Sequence, residues 1–229
     1  MNIKKNIIAI IPARGGSKGI PKKNIINFLG KPLLEHSIDY AKTSNLISNI
    51  YVSTDSSEIA KIALKNNVSV IDRPKSISGD TASTESALIH ALKNIVDEPP
   101  DIIILLQPTS PLRPENSLNK AIKHFLSNNY DSLLSISPTH RFFWKIEDKN
   151  AIPKYDFNSR PRRQDMKKKD ISYIENGSIY ISTYENLIKN NNRLGGNIGY
   201  VIFDEQYSYE IDSMTDLRFL EALSKENND

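Results

Sequence analysis

The stretch Ile7-Ile8-Ala9-Ile10-Ile11-Pro12-Ala13-Arg14-Gly15-Gly16-Ser17-Lys18-Gly19-Ile20-Pro21-Lys22-Lys23-Asn24 decides how the chain is read. Its first five residues are apolar and four of them are isoleucine, a length and composition that fit one buried strand. Pro12 ends the strand, because proline brings no N–H to a sheet ladder. The loop beyond it carries Gly15, Gly16 and Gly19, which let a backbone turn its N–H groups toward an anion at little steric cost. Arg14, Lys18, Lys22 and Lys23 supply counter-charge, and the planar fork of arginine matches phosphate oxygens. A buried strand that delivers a flexible, cationic loop to one edge of a sheet predicts a polyphosphate site. The competing reading is a surface turn with solvated lysines.

Two familiar phosphate loops are excluded by spelling. A Walker loop needs Gly-Lys-Ser/Thr four residues after its first glycine, and Gly19 is followed by Ile20-Pro21; the dinucleotide pattern G-x-G-x-x-G is also absent.

Length and composition narrow the classes further. The 229 residues make one large domain, or one domain with a sizeable excursion. No apolar run approaches the roughly 18–20 residues needed to cross a bilayer. Lys4 and Lys5 precede an apolar run, but that run is too short for a signal sequence, so a cytoplasmic enzyme is expected. The absence of cysteine excludes disulfides and thiolate metal sites. The net charge of +3 is unevenly spread: residues 141–169 hold ten Lys/Arg against four acids, a local +6, which leaves −3 for the rest. Positive charge confined to one segment argues against a nucleic-acid surface and suits a local anionic ligand or a solvated arm.

Periodicity predicts strands alternating with helices. Helices are expected from Pro32, over the stretch bearing Ile59, Ile62 and Ala63 with Thr54 or Asp55 as its cap, over Ser83–Val96, from Pro114 to about Leu126, near Tyr184–Lys189 and from Ser213. Strands are expected at Ile50–Thr54, Val68–Ile71, Ile102–Leu106, Ser132–Ile136, Gly177–Ile181 and Tyr200–Phe203. The pattern predicts an α/β fold, a mostly parallel twisted sheet with helices on both faces. Ligands in such sheets gather at the carboxyl ends of strands, where Arg14 onward, Thr54-Asp55, Arg73 and Gln107 onward all fall. The rhythm breaks between Pro138 and about Asp170, in a segment carrying Phe142-Phe143-Trp144 and the excess positive charge.

The opening loop, with Gly30-Lys31-Pro32-Leu33 after it, resembles the signature of the cytidylyltransferases that activate nonulosonic acids, of which the CMP-sialic acid synthetases are best known. Further blocks follow in that family's order as far as about Leu217: Asp72-Arg73-Pro74, Asp80-Thr81-Ala82-Ser83, Leu105-Leu106-Gln107-Pro108-Thr109-Ser110-Pro111-Leu112-Arg113, Arg160-Pro161-Arg162-Arg163-Gln164-Asp165, Asn176-Gly177-Ser178-Ile179-Tyr180-Ile181 and Tyr209-Glu210-Ile211-Asp212. The resemblance implies a nucleotide-diphospho-sugar-transferase-like fold, residues 1–229 as one domain, with 138–170 an excursion serving dimerisation and the sugar site.

It also implies roles. CTP would lie over Ala13, Gly15, Gly16, Ser17 and Asn24, with Arg73 and Ser83 toward the base and Arg14 and Lys23 offsetting charge at the α-phosphate. Ser83 reads equally well as a helix cap. Gln107, Arg162, Arg163, Gln164 and Asn176 would face a nine-carbon 2-keto sugar acid, arginine being suited to its carboxylate; a solvated basic arm is the alternative for the arginines. Glu210 and Asp212 share one face of an extended segment and would hold Mg²⁺, since hard cations take oxygen ligands. The family spells Asp-Ile-Asp there, so Asp212 is the firmer ligand, and an acidic helix entry capped by Asp212 or Ser213 is the other reading.

The expected reaction is attack of the sugar acid's anomeric hydroxyl on CTP with loss of pyrophosphate, with legionaminic acid ahead of sialic acid as substrate. A 3-deoxy-octulosonate or pseudaminate cytidylyltransferase and a non-catalytic nucleotide-binding regulator are the alternatives. The aromatic cluster, too large for one small arm to bury, is expected to pack across a twofold homodimer with Trp144 at or near the interface.

Overall fold

The isoleucine run forms a strand, β1 (Ile7–Pro12), whose residues are buried through Ile11 because both of its faces are covered. The computed structural model describes residues 5–95, 98–167 and 170–226. The expected helix end at Val96, and Lys4, Lys168 and Lys169 of the charge pattern, lie outside them. After the loop come a small hairpin, β2 (Asn27–Phe28) and β3 (Lys31–Pro32), then α1 (Leu33–Lys42), β4 (Asn49–Thr54), α2 (Ser57–Lys65), β5 (Ser69–Asp72), α3 (Thr84–Asn94) and β6 (Ile102–Leu105). The second half runs α4 (Ser117–Ser127), β7 (Ser132–Thr139), β8 (Trp144–Glu147), β9 (Asn150–Pro153), β10 (Ser172–Thr183), α5 (Tyr184–Asn190), β11 (Ile198–Ile202) and α6 (Met214–Glu226).

Seven strands form one sheet in the order β11–β7–β10–β6–β1–β4–β5. Neighbours are parallel except at β10, which is antiparallel to both β6 and β7. Ile10 pairs with Tyr51 of β4 on one side and Leu105 of β6 on the other, so β1 lies inside the parallel half. Alternation along the strands feeds two cores. Ile7, Ala9 and Ile11 pack with α1, α2 and α4; Ile8 and Ile10 pack with Leu88 and Ala91 of α3 and Leu187 of α5. A third cluster joins Ile20 of the loop, Phe28 and Leu33 to Ile211 and to Leu217 and Leu220 of α6. That cluster brings residue 212 beside the opening loop.

Several element boundaries differ from expectation for local reasons. α4 starts at Ser117 rather than Pro114, because Asn116 takes a left-handed conformation (φ 56°) and Ser117 Oγ donates to Pro114 O. Ser56, not Thr54 or Asp55, caps α2 by accepting from Ile59 N. Ser213 and Asp216 exchange bonds at the start of α6: Ser213 N donates to Asp216 Oδ2 (2.7 Å) and Asp216 N to Ser213 Oγ (3.2 Å), a reciprocal cap. The segment expected to be irregular is partly regular. β7 runs on to Thr139, β10 begins at Ser172, and between them β8 and β9 form a separate hairpin whose turn places Asp148 at φ 52°. Trp144 and Ile146 on β8 are 50% and 69% exposed.

Ile104 sits fully buried in β6 between β1 and β10. Ile104→Ala is expected to cost about 2–5 kcal/mol of stability. The urea midpoint should fall with an unchanged slope, and a midpoint equal to that of the parent chain would show that this strand is not the centre of the core.

Candidate active site

The strand order turns back between β1 and β6. From β1 the chain moves outward to β4 and β5; it returns to β6 and continues to the other half of the sheet. Such a reversal leaves a crevice at the carboxyl ends of the two strands. The crevice is lined by Pro12, Arg14, Lys23 and Asn24 after β1, Arg73 after β5, Ala82, Ser83 and Thr84 at the start of α3, and Gln107, Pro108 and Thr109 after β6. Residues far apart in sequence thus converge because parallel strands end at the same edge.

The loop is shaped by close approach. Gly15 N donates to Asp55 Oδ1 (2.8 Å), and a Cβ on Gly15 would stand 2.9 Å from that of Ser56. At Gly19 a Cβ would come within 2.1 Å of the Asp212 carbonyl oxygen, so only glycine allows the loop to lie against that segment. Asn24 Nδ2 donates to Arg14 O (2.9 Å), folding the loop back on itself. Ala13 N donates to Ser53 O, which makes Ala13 an extension of the sheet. Gly16 faces open space, and Ser17 is half-buried beside it.

The cations of the loop are held by acids of the same chain. Arg14 Nη1 stands 2.8 Å and Lys18 Nζ 3.3 Å from the two oxygens of Asp80, and Lys23 Nζ 2.7 Å from Asp212 Oδ1. Arg73 is different. It is 6% exposed, its Nε and Nη2 have no hydrogen-bond partner, and it lines the crevice. Burial pushes its pKa down; Asp55 opposes that shift and Arg14 adds to it. A buried guanidinium with unpaired donors is costly unless a ligand completes it. Ser83 accepts from Ser86 N as the cap of α3 and also lines the crevice.

Glu210 and Asp212 lie behind two residues of the crevice lining, Lys23 and Thr109. Ile211 N donates to Thr109 O (2.8 Å), which fixes the segment against the turn after β6. Glu210 Oε1 lies 2.0 Å and Ser110 Oγ 2.6 Å from where a Cβ of Gly177 (φ 66°) would be, so the carboxylate fills the notch that this glycine leaves. Burial raises the Glu210 pKa, the charge of Asp212 adds to the shift, and Lys23 opposes it. Among the described residues no group of three or more His, Cys, Asp or Glu could hold a metal ion. Two neighbouring carboxylates do fit a hard cation that takes its other ligands from phosphate oxygens and water.

Not every expected residue reaches the crevice. Asn176 is fully buried: its amide oxygen accepts from Ser135 Oγ (2.5 Å) and Ser178 N (3.2 Å), and its amide nitrogen donates to Ser137 Oγ (3.0 Å). It ties β10 to β7 from within the sheet and is not part of the lining of this crevice. Arg162, Arg163 and Gln164 are exposed on the segment between β9 and β10 and do not line this crevice. Arg162 pairs with Asp165 (2.6 Å), and Arg163 approaches Glu205 (4.0 Å). The reading from sequence gave no part to Asp55 as the acceptor of the Gly15 amide, to Asp80 as the partner of Arg14 and Lys18, or to Arg113. Asp80 and Arg113 lie inside quoted blocks, but spacing alone does not reveal which cation an acid will hold.

A cationic glycine loop at the switch point of a mostly parallel sheet, with a buried arginine in the same crevice and a carboxylate pair beside it, is the arrangement of a nucleotidyltransferase. Comparison with known proteins agrees: the family profile described as cytidylyltransferase matches residues 8–229, and the chain belongs to that family. It is 32% identical to the pseudaminic acid cytidylyltransferase of Campylobacter jejuni subsp. jejuni serotype O:23/36 (strain 81-176), over 97% of each chain. It is 36% identical to N-acylneuraminate cytidylyltransferase A of Danio rerio, over 91% of this chain and 48% of that one. Among solved structures, a CMP:2-keto-3-deoxy-manno-octonic acid synthetase complexed with CTP superposes with a TM-score of 0.71 at 15% identity, covering 97% of this chain and 99% of that chain. The likeness in structure extends across the whole sheet and establishes the fold.

Arg73→Met tests the crevice directly. Replacing a buried, unpartnered charge with an apolar chain of similar length should leave the melting temperature unchanged or raise it. Binding of CTP, measured by calorimetry, should weaken by about tenfold or more, the loss of one charge-assisted hydrogen bond. Retained affinity would remove Arg73 from the site.

Proposed function

We propose that the protein activates a nonulosonic acid, a nine-carbon 2-keto sugar acid, with CTP to give the CMP-sugar acid and pyrophosphate. The observation that carries this reading is the buried, unpaired Arg73 guanidinium facing a cationic glycine loop across a switch-point crevice. The triphosphate takes the place of Asp80 beside Arg14 and Lys18, and the base lies toward Arg73 and Ser83. The anomeric oxygen of the sugar acid attacks the α-phosphorus; its proton leaves to solvent, and the bond to the β-phosphate oxygen breaks. Arg14 and Lys23 offset the charge that develops. Asp212, with Glu210, is the place for Mg²⁺, which when bound supplies Lewis-acid stabilisation of the phosphate oxygens. No helix among the described residues is long and apolar enough to cross a membrane, and a cytoplasmic location belongs to the same reading.

The homodimer belongs to it as well. β8 and β9 expose Trp144, Ile146 and Ile152, and the edge strand β11 exposes Ile198, Tyr200 and Ile202 on one face. Apolar surface of this kind, beside a basic segment, suits a second copy of the chain. The exposed Arg162, Arg163 and Gln164 then reach the sugar site of the neighbour, while Gln107 faces the sugar from within.

Pyrophosphate release, assayed with CTP and a panel of pseudaminic, legionaminic, N-acetylneuraminic and 3-deoxy-octulosonic acids, should appear only with a nine-carbon acid and a divalent cation. Equal turnover with UTP or ATP would overturn the cytidine assignment, and no turnover with any acid would leave a nucleotide-binding regulator. Light scattering should give a dimeric mass that Ile146→Lys reduces to a monomeric one. Arg162→Ala and Arg163→Ala should raise KM for the sugar acid by about tenfold while leaving KM for CTP unchanged. An unchanged KM for the acid would return these arginines to a solvated arm.

A further inference from the structure

Arg113 is a half-buried cation without a carboxylate. Among the described residues it makes no ion pair, and its charge is spent on three neutral acceptors and one ring. Nε donates to Ser178 O (3.1 Å), Nη1 to Ser37 Oγ (3.2 Å) and Nη2 to Gln107 O (2.8 Å), while its guanidinium lies 5.0 Å from the centre of the Tyr40 ring. Burial pushes its pKa down to about 10. Three hydrogen bonds to fixed neutral acceptors hold the planar fork in one orientation.

What it fixes is legible in its partners. The Gln107 carbonyl also accepts from Ser110 N (3.2 Å) and Ser37 Oγ (3.3 Å), so the turn that lines the crevice closes on the atom that Arg113 grips. Thr109 of that turn holds Ile211, between the two carboxylates. The other arm of the fork holds Ser178, the residue after Gly177, whose missing Cβ makes room for Glu210. The Glu210 carboxylate therefore lies between two segments, 107–110 and 176–178, and Arg113 is the side chain bonded to both.

We propose that Arg113 is the positioning residue of the carboxylate pair: its planar fork sets the gap between these two walls and, through Thr109 and Ile211, the placement of Glu210 and Asp212. Arg113 touches neither nucleotide nor sugar acid in this arrangement and acts through the backbone. The kinetic half of this inference rests on the cytidylyltransferase reading above; the structural half does not.

The test uses Arg113→Lys, which keeps a cation but not the fork, and Arg113→Ala, which opens a cavity lined by the same acceptors. In Arg113→Lys, hydrogen–deuterium exchange should quicken by at least about tenfold at 107–112, 176–178 and 209–212, with β1 (Ile7–Pro12) unchanged. In the wild-type background the same variant should lose about 100-fold in kcat, the usual consequence of a misplacement near one ångström, with KM for CTP within about threefold because the base and loop contacts come from other strands. Methylguanidinium should restore Arg113→Ala saturably, by at least tenfold in kcat, without restoring the other crevice variants. Uniform exchange across the sheet, or Arg113→Lys with kcat within threefold of the parent, would overturn the inference. Should the wild-type chain show no turnover at all, the functional reading fails and the exchange pattern still decides the role of Arg113.

Discussion

Parallel strands β1 and β6 lie side by side, and the chain leaves that pair toward opposite halves of the sheet. Two strands whose exits diverge cannot cover their own carboxyl ends, and the gap between them is a place where backbone and loops can close around a ligand. The isoleucines of β1 exist to hold the strand there, buried on both faces. Pro12 stops the ladder, and the loop begins where the sheet ends.

Within that crevice the chain meets most of its own charges. Asp80 holds Arg14 and Lys18, Asp212 holds Lys23, and Asp55 accepts from the Gly15 amide. Exposed pairs of this kind contribute little to stability and are readily exchanged. A triphosphate can therefore replace carboxylates at modest cost, gaining charge-assisted bonds that the pairs in water do not match. Arg73 and Arg113 stand outside this scheme. Neither is paired with an acid, and they differ in what completes them: the half-buried Arg113 is filled by carbonyls and a ring, whereas the buried Arg73 keeps donors free at the crevice wall. Under the proposed function the first is architecture and the second is recognition, and the hydrogen-bond inventory is what separates them.

Much of the parallel half was legible because its signals are local: isoleucine runs, helical spacing of Leu33, Leu34, Ile38 and Ala41, and a serine before α3. The opening loop was legible because glycine and cation density are themselves the mechanism. Other features were hidden for physical reasons. The antiparallel insertion of β10 between β6 and β7 is decided by long-range pairing, and nothing in Ser172–Thr183 announces its direction. The hairpin β8–β9 is short, exposed and rich in charge, so its alternation of Trp144 and Ile146 is only two residues deep. Asn176 carries the same polar spelling whether it faces a sugar or ties two strands together. Its burial and its three bonds to Ser135, Ser137 and Ser178 come from tertiary packing, which the spelling does not carry. The cap of α6 was narrowed to Asp212 or Ser213, and the structure gives it to Ser213, which releases Asp212 for Lys23.

The claim on which the rest depends is that the crevice between β1 and β6 is the nucleotide site. A crystal structure of the protein with CTP tests it most directly. The triphosphate should lie against residues 13–24 with Arg14 turned from Asp80 to phosphate oxygen, and Arg73 should donate to the nucleotide through the nitrogens that now have no partner. Nucleotide bound elsewhere on the sheet, or in this crevice with Arg73 still unpaired, would contradict it.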